Sequence, residues 1–491
     1  MIKRPYIIIC IAAALCGLKS HAQLTLTLEQ AVAIAADSSL EAFRSRNMYL
    51  AGYWQHRTYR AGRLPKLTLN MTPAEYYRDI TRRYDSNEDI DVFRRQQSFY
   101  ASGGLELTQN FDPLGGSFFL NSNLSYMHNF GDNSYTQFTS VPVRLGYTQS
   151  LVGFNPFKWE RKIEPLKFEQ AKQDFLFNME RIGEQTTAYF FDLAMAQAEY
   201  DMALANVSST DTLFHIGERR QEIAAITQAD LLTLRLDAVN ARNTLQNADI
   251  ALKRSMFALT SYLNLDKNVG IRLRIPAMPS ANRTIPVEEA LAHARSNNPR
   301  FIALRAQVLA AEQDVDRARK EVLFNASINA SIGFNQVAGT LDGIYRNPLR
   351  QDIVAVSVSV PLLDWGVRKG KYNIARSSLN ITRISARQEE ISLEEDIIMT
   401  VGDFNIQLQL AQSAEEALTL SQMAYAQTRR QFITGKADIS SLTLSYSRQQ
   451  TAERNYVASL RNYFLSFYKI RKLTLYDFEK KITLSRKFDL E

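Results

Sequence analysis

The sequence predicts a mainly helical protein with a membrane-crossing β region, built as two copies of one pattern. Three observations predict it. Proline and glycine nearly vanish over two very long stretches. Strict apolar/polar alternation fills short stretches ahead of each. The first half's pattern then recurs in the second. Across 491 residues there are only 20 Gly and 13 Pro, so turns are few and elements long. A mean hydropathy of -0.24 excludes a bundle of spanning helices, each needing roughly 20 mainly apolar residues. The 26 Phe and 22 Tyr argue against wholesale disorder.

The first element is a targeting segment, residues 1–22. Lys3 and Arg4 form a basic start, Tyr6 to Leu15 an apolar run, and Ser20-His21-Ala22 a small-residue cleavage site. Cys16 follows Leu15, which is large where lipidation calls for a small residue. Removing Lys3, Arg4 and Lys19 takes the net charge from +7 to +4, which no longer points to nucleic acid. Both cysteines, Cys10 and Cys16, leave with the segment, so the exported chain uses neither disulfides nor thiolate metal sites.

The rest reads as a duplication. Leu28-Glu29-Gln30-Ala31-Val32-Ala33 matches Val287-Glu288-Glu289-Ala290-Leu291-Ala292, and the same offset of 259 pairs Arg46 with Arg305 and Arg60 with Arg319. Ala229-Asp230-Leu231 matches Ala437-Asp438-Ile439 at an offset of 208. We divide the chain into a first repeat, 23–284, a second repeat, 285–476, and a tail, 477–491. The change in offset places an insertion of 48 residues in the first repeat's strand region, 66–150.

After Pro165 no proline interrupts the chain to about Phe214, and none lies between Val367 and Phe432. Sixty-six helical residues make a rod of roughly 100 Å. Apolar positions recur by seven at Ile397, Phe404, Ala411, Leu418, Tyr425 and Phe432. They do so again at Phe168, Phe175, Ile182, Tyr189, Ala196 and Ala203. That spacing predicts coiled-coil packing. The stripe is thin, which suits a curved wall with water on both sides.

Strands come before each rod. Phe324, Ala326, Ile328, Ala330, Ile332 and Phe334 alternate with Asn, Ser and Gly, and Val354, Val356, Val358 and Val360 repeat the period. Leu67–Met71 and Val141–Tyr147 are the first repeat's pair, and the insertion adds Leu105–Gln109 and Phe118–Tyr126, joined by a turn at 111–116. Runs of about ten residues cross a bilayer when tilted. Sheet edges are not tolerated in hydrocarbon, and about eight strands are needed to close a barrel. Four strands per chain, or six if the insertion joins the wall, therefore require several chains. Three copies give twelve or eighteen.

Taken together, these motifs resemble the TolC family of outer-membrane efflux factors. The opening Thr27-Leu28-Glu29-Gln30-Ala31 recurs as Pro286-Val287-Glu288-Glu289-Ala290, and Asn298-Pro299 leads into Arg305-Ala306-Gln307-Val308. The strand-to-helix corner is Val360-Pro361-Leu362-Leu363-Asp364-Trp365-Gly366, and the distal turn is Gln431-Phe432-Ile433-Thr434-Gly435-Lys436. The resemblance implies a duplicated coiled-coil α-barrel on a trimeric transmembrane β-barrel. It implies a passive conduit in the cell outer membrane with a long periplasmic extension, working with a periplasmic adaptor and an inner-membrane pump. It also implies that the helix-turn-helix tips dock the adaptor and gate the pore. Those tips fall at Thr227, Gln228, Ala229 and Asp230, and at Thr434, Gly435, Lys436, Ala437 and Asp438. The positions near Ser441 and Leu444, where some members carry an acidic ring, are not acidic here. Asp230 and Asp438 also suit simple helix capping.

Catalysis finds no support. His56, His128, His215 and His293 make no metal-ligand spacing, and neither a nucleophile elbow nor a phosphate-binding loop is present. We expect no enzyme activity, cofactor or metal. Arg429-Arg430 fit either a gate or a helix C-terminus. Arg78, Arg82, Arg83 and the stretch 85–91 read as a charged exposed loop, in reach of lipid headgroups or simply solvated. Trp159, Trp365, Tyr76, Tyr77, Tyr100 and Tyr345 are candidate interfacial aromatics. The rival reading is a soluble periplasmic coiled-coil adaptor or structural protein, against which the bilayer-length strands count.

Overall fold

The computed structural model describes residues 24–85, 88–130, 134–223, 226–266, 269–277 and 284–484. The targeting segment, Cys16 and the last seven residues lie outside the described residues. In order, the first repeat is β1 (Leu24–Leu26), α1 (Leu28–Ser38), α2 (Leu40–Ala61), β2 (Lys66–Asp85), β3 (Ile90–Phe111), β4 (Gly116–Phe130), β5 (Tyr135–Ser150), α3 (Pro156–Glu222) and α4 (Gln228–Tyr262). Then come β6 (Ile271–Leu273), α5 (Val287–Asn297), α6 (Pro299–Val322), β7 (Asn325–Ala338), β8 (Leu349–Ser359), α7 (Val367–Ile433) and α8 (Ile439–Thr474), with β9 (Tyr476–Asp477) and β10 (Ile482–Thr483) in the tail.

The two long rods, α3 and α7, are each 67 residues. They begin and end 211 residues apart, not 208. Coiled-coil seams use positions three and four apart, so an apolar stripe slid by three residues falls back on itself. That self-similarity shifted the sequence match. The predicted stripe is buried at Ile397, Phe404, Ala411 and Phe432, and at Phe175, Ile182, Ala196 and Ala203.

The chain forms two compact units. One holds residues 1–49, 172–299 and 392–491. Its core gathers Leu26, Ala35, Ala42, Ile182, Leu193, Leu259 and Ile271, beside a cluster of Leu28, Phe190, Phe191 and Leu460. β1 and β6 pair in parallel. The Gln197 amide donates to Ile271 O (2.8 Å) and accepts from Leu273 N (3.1 Å), satisfying the backbone of β6. Asn405 does the same for both backbone groups of Ile285 in the second repeat. Arg471 joins Glu180 (3.0 Å) to Asp477 (3.2 Å). Burial pushes the Glu180 carboxyl up, against the pull of Arg471.

The other unit holds residues 50–171 and 300–391. Its six-stranded antiparallel sheet has the order β2-β3-β4-β5-β7-β8. The inserted strands β3 and β4 therefore join the sheet, and the chain contributes six strands, not four. The turn at 112–115 closes on Gly115, whose φ is +79°. Register sorts the side chains by face. Leu67, Leu107, Leu120, Leu145 and Ile332 stand side by side in one row, which ends on Asp352. One residue along, Thr68, Glu106, Asn121, Arg144, Gly333 and Gln351 form the adjacent row on the opposite face. Further down, Phe118, Tyr147, Ala330 and Val354 line the apolar face, and Ser117, Thr148, Asn329 and Ala355 the polar one.

Strands β2 and β3 run further than the alternation predicts. Within the stretch read as a charged loop, Arg78 to Asp85 pair with Ile90 to Gln97, while Ser86 and Asn87 lie outside the described residues. Outside hydrocarbon a strand needs no apolar face, so its period-two signal fades.

Candidate functional site

The predicted tip residues lie at two helix turns in the first of these units. Thr227 caps α4. Its hydroxyl accepts from Asp230 N (3.1 Å), and the Asp230 carboxylate accepts from Thr227 N (3.1 Å), a reciprocal capping box. Bonds from the Thr227 side chain and backbone hold the Asp230 carboxyl below its ordinary range. Gln228 and Ala229 follow in the first turn, where Ala229 O accepts from the Thr233 hydroxyl (2.9 Å).

The second tip ends α7 in a Schellman motif. Lys436 N donates to Gln431 O (2.9 Å) and Gly435 N to Phe432 O (3.0 Å). This geometry places Gly435 at φ +75°, a conformation open to glycine at little cost. The Thr434 hydroxyl donates back to Gln431 O (3.0 Å). Asp438 then caps α8 by accepting from Ser441 N (2.8 Å), and bonds from the Ser441 side chain and backbone hold its carboxyl below its ordinary range. Asp230 and Asp438, paired by sequence, thus hold different positions: the third residue inside one helix and the cap of the other.

Arg220, which the sequence reading did not single out, brings the tips together. From the last turn of α3 its guanidinium donates to Ile433 O (3.4 Å) and Phe432 O (3.5 Å), and it lies 5.5 Å from the Phe432 ring centroid. It thereby reaches Ile433 O at the helix end and adds a second donor to Phe432 O, which Gly435 N already meets. Its sequence signal is only the Arg219-Arg220 pair in a last helical turn, because a backbone carbonyl leaves no trace in sequence. Arg429 and Arg430 form no ion pair among the described residues. Behind the tips α3, α4, α7 and α8 enclose a cavity of about 170 Å³, lined by Leu213, Leu234, Asp237, Phe432, Leu442 and Tyr446. Burial raises the Asp237 carboxyl and pushes Tyr446 up to about 12. Tyr446 donates to Met202 O (3.2 Å).

Glu389, Glu390 and Glu394 of α7 form ion pairs along the rod. Glu394 accepts from Arg295 (2.8 Å) and Glu390 from Arg387 (3.2 Å). Among the described residues, no group of three His, Cys, Asp or Glu side chains is placed to hold a metal. No helix among them is long and apolar enough to cross a membrane. The two-faced sheet is the element of bilayer length.

A sheet with one apolar face and two 67-residue helices that end at capped turns are the elements that an outer-membrane channel protomer would need. Comparison with known proteins agrees. Residues 290–474 match the outer membrane efflux protein family. The chain is similar in fold to the CmeC outer membrane channel of Campylobacter jejuni, at 13% identity and a TM-score of 0.64, over 91% of this chain and 85% of that one. VceC, an outer membrane protein of Vibrio cholerae, gives 14%, 0.64, 91% and 95%. The open state of the Neisseria gonorrhoeae MtrE outer membrane channel gives 13%, 0.60, 91% and 88%. No curated protein matches. Residues 290–474 thus carry the family match, and the chain as a whole shares the fold of these outer membrane channels.

Proposed function

We propose that three copies of this chain, exported by residues 1–22, close into one passive conduit through the outer membrane. A periplasmic adaptor docks at the tips and an inner-membrane pump feeds the lumen. The two repeats, 23–284 and 285–476, act as one protomer. One observation carries the reading: the six-stranded sheet has an apolar face, and among the described residues neither of its edge strands, β2 and β8, has a further partner. Unpaired edges are costly in lipid, so β2 of one copy bonds to β8 of the next. Three sheets then give eighteen strands, and a bore about one and a half times that of a twelve-stranded barrel. Thr227, Gln228, Ala229, Asp230, Thr434, Gly435, Lys436, Ala437 and Asp438 form the docking surface, held by Arg220.

The test is fractionation followed by mass measurement in detergent. We expect the chain to stay with membranes through carbonate and high salt and to run as a heat-resistant trimer. Full extraction would favour the soluble adaptor instead. A monodisperse monomer would overturn the trimer.

A further inference from the structure

The β2–β3 extension makes a further surface, whose reading rests on the membrane placement above. On the apolar face, Phe111, Phe118 and Tyr147 form a lower aromatic row, with rings 5.7 and 4.6 Å apart. An upper row on the same face joins Tyr76 to Phe130 (6.3 Å), Phe99 to Tyr126 (6.2 Å) and Tyr126 to Phe138 (5.1 Å). Along β4, Phe118 and His128 mark the two rows, ten residues apart. Ten residues at about 3.4 Å, tilted by roughly 40°, rise about 25 Å, the height of the apolar band of an outer-membrane barrel. The two rows therefore mark the two interfaces.

β4 ends at Phe130, just past the upper row, but β2 and β3 stay paired out to Asp85 and Ile90. The apolar face continues outward along them as Arg78/Gln97, Ile80/Arg95, Arg82/Phe93 and Tyr84/Asp91. Its arginines are exposed, and so are Ile80 (59%) and Phe93 (72%). Asp91 is the one acid at a register position on this side of the paired strands, and it is engaged by Arg82. Arg78 and Arg95 form no ion pair among the described residues. Nearest the upper row, the acids Glu75 and Asp79 fall on the other face. By register the side that faces lipid lower down carries Arg78, Arg82 and Arg95 against Asp91, and the other side Arg83 and Arg94 against Glu75, Asp79 and Asp85, so the cationic excess lies on the lipid side. A hairpin standing in plain water requires no such one-sided excess. At the same tilt Arg78 and Arg95 stand about 5 and 10 Å beyond the aromatic row, where headgroups begin, and Arg82 about 5 Å further out.

We propose that the apolar-face side of this extension, through Arg78, Arg82 and Arg95, docks the phosphorylated headgroups of a glycolipid in the outer leaflet. Guanidinium forks suit phosphate oxygens. The outermost arginine reaches past a simple phosphodiester, so the fitting headgroup is a phosphorylated sugar.

The experiment uses the full chain inserted into phosphatidylcholine vesicles doped with bis-phosphorylated lipid A or with its dephosphorylated form. Lipid retained after gentle detergent extraction is counted by native mass spectrometry. We expect a preference of about thirtyfold for the phosphorylated form, from a net two positive charges near an anionic surface. The triple variant Arg78→Gln/Arg82→Gln/Arg95→Gln loses it while keeping the oligomer and its conductance. Arg448→Gln, on a helix, keeps it. Equal retention of both lipids by the unaltered chain, or an undiminished preference in the triple variant, overturns the proposal. Failure of the unaltered chain to insert at all overturns the channel reading instead, and this inference with it.

Discussion

Between α2 and α3 the first repeat crosses the sheet four times, while the second repeat crosses it twice between α6 and α7. Over the same comparison α3 and α7 are both 67 residues, and α4 and α8 are 35 and 36. The contrast shows what each architecture tolerates. A residue added to a paired rod turns everything beyond it by about 100° and carries its stripe off the seam. An antiparallel sheet accepts a whole hairpin, because two extra strands restore direction and leave every neighbour's bonding intact. Growth therefore went into the sheet, and the rods kept their length.

The largest test of that contrast removes the extra hairpin. Deleting residues 86–134 leaves β2 to pair with β5. We expect trimers that still insert but whose single-channel conductance falls to roughly half, since bore area follows the square of strand number. Unchanged conductance would mean that β3 and β4 stand outside the wall.

A second test asks whether the sheet's two faces differ as register implies. Leu145→Arg on the apolar face should destabilise the inserted trimer by about 2–4 kcal/mol, and Asn329→Arg on the polar face by far less. Equal effects, read by urea unfolding in vesicles, would erase the distinction between the faces.

The tips also differ between repeats. The first has no glycine between Glu222 and Thr227, and the second turns on Gly435. Gly435→Val forces a β-branched residue into the left-handed region, at about 1–2 kcal/mol. Export should fail while membrane insertion persists. Unaltered transport would remove this turn from the docking surface.

The smallest effect is with pH. The Asp438 carboxyl is held below its ordinary value of 3.8 by its cap to Ser441. A depressed carboxylate contributes stability in full above that ordinary value, and loses it as pH falls through the lower folded value. Amide exchange at the start of α8 should quicken only in strong acid. Asp438→Asn, which keeps the cap but cannot titrate, should flatten that response.

Much of this was legible before any coordinates. The duplication, the buried seam at Ile397 and Phe404, and the alternation from Ala326 to Phe334 follow from period alone. The hairpin beyond Tyr76 was not legible, because a strand that has left the hydrocarbon loses the alternation that betrays strands. The bridge from Arg220 to the end of α7 was hidden for another reason: its acceptors are main-chain oxygens, identical at every position. Asp230 and Asp438 stood out, yet their separate capping positions emerged only from the backbone.

The unpaired edges of the sheet have a consequence for the life of the protein before it works. On the trimeric reading proposed above, a newly exported copy carries two open strand edges and an exposed apolar face through water until two other copies arrive. Its maturation is therefore third-order in protomer at heart, slow when the chain is scarce and hazardous when it is crowded. On that reading its yield should respond to the supply of proteins that cover strand edges in transit more steeply than to its own synthesis.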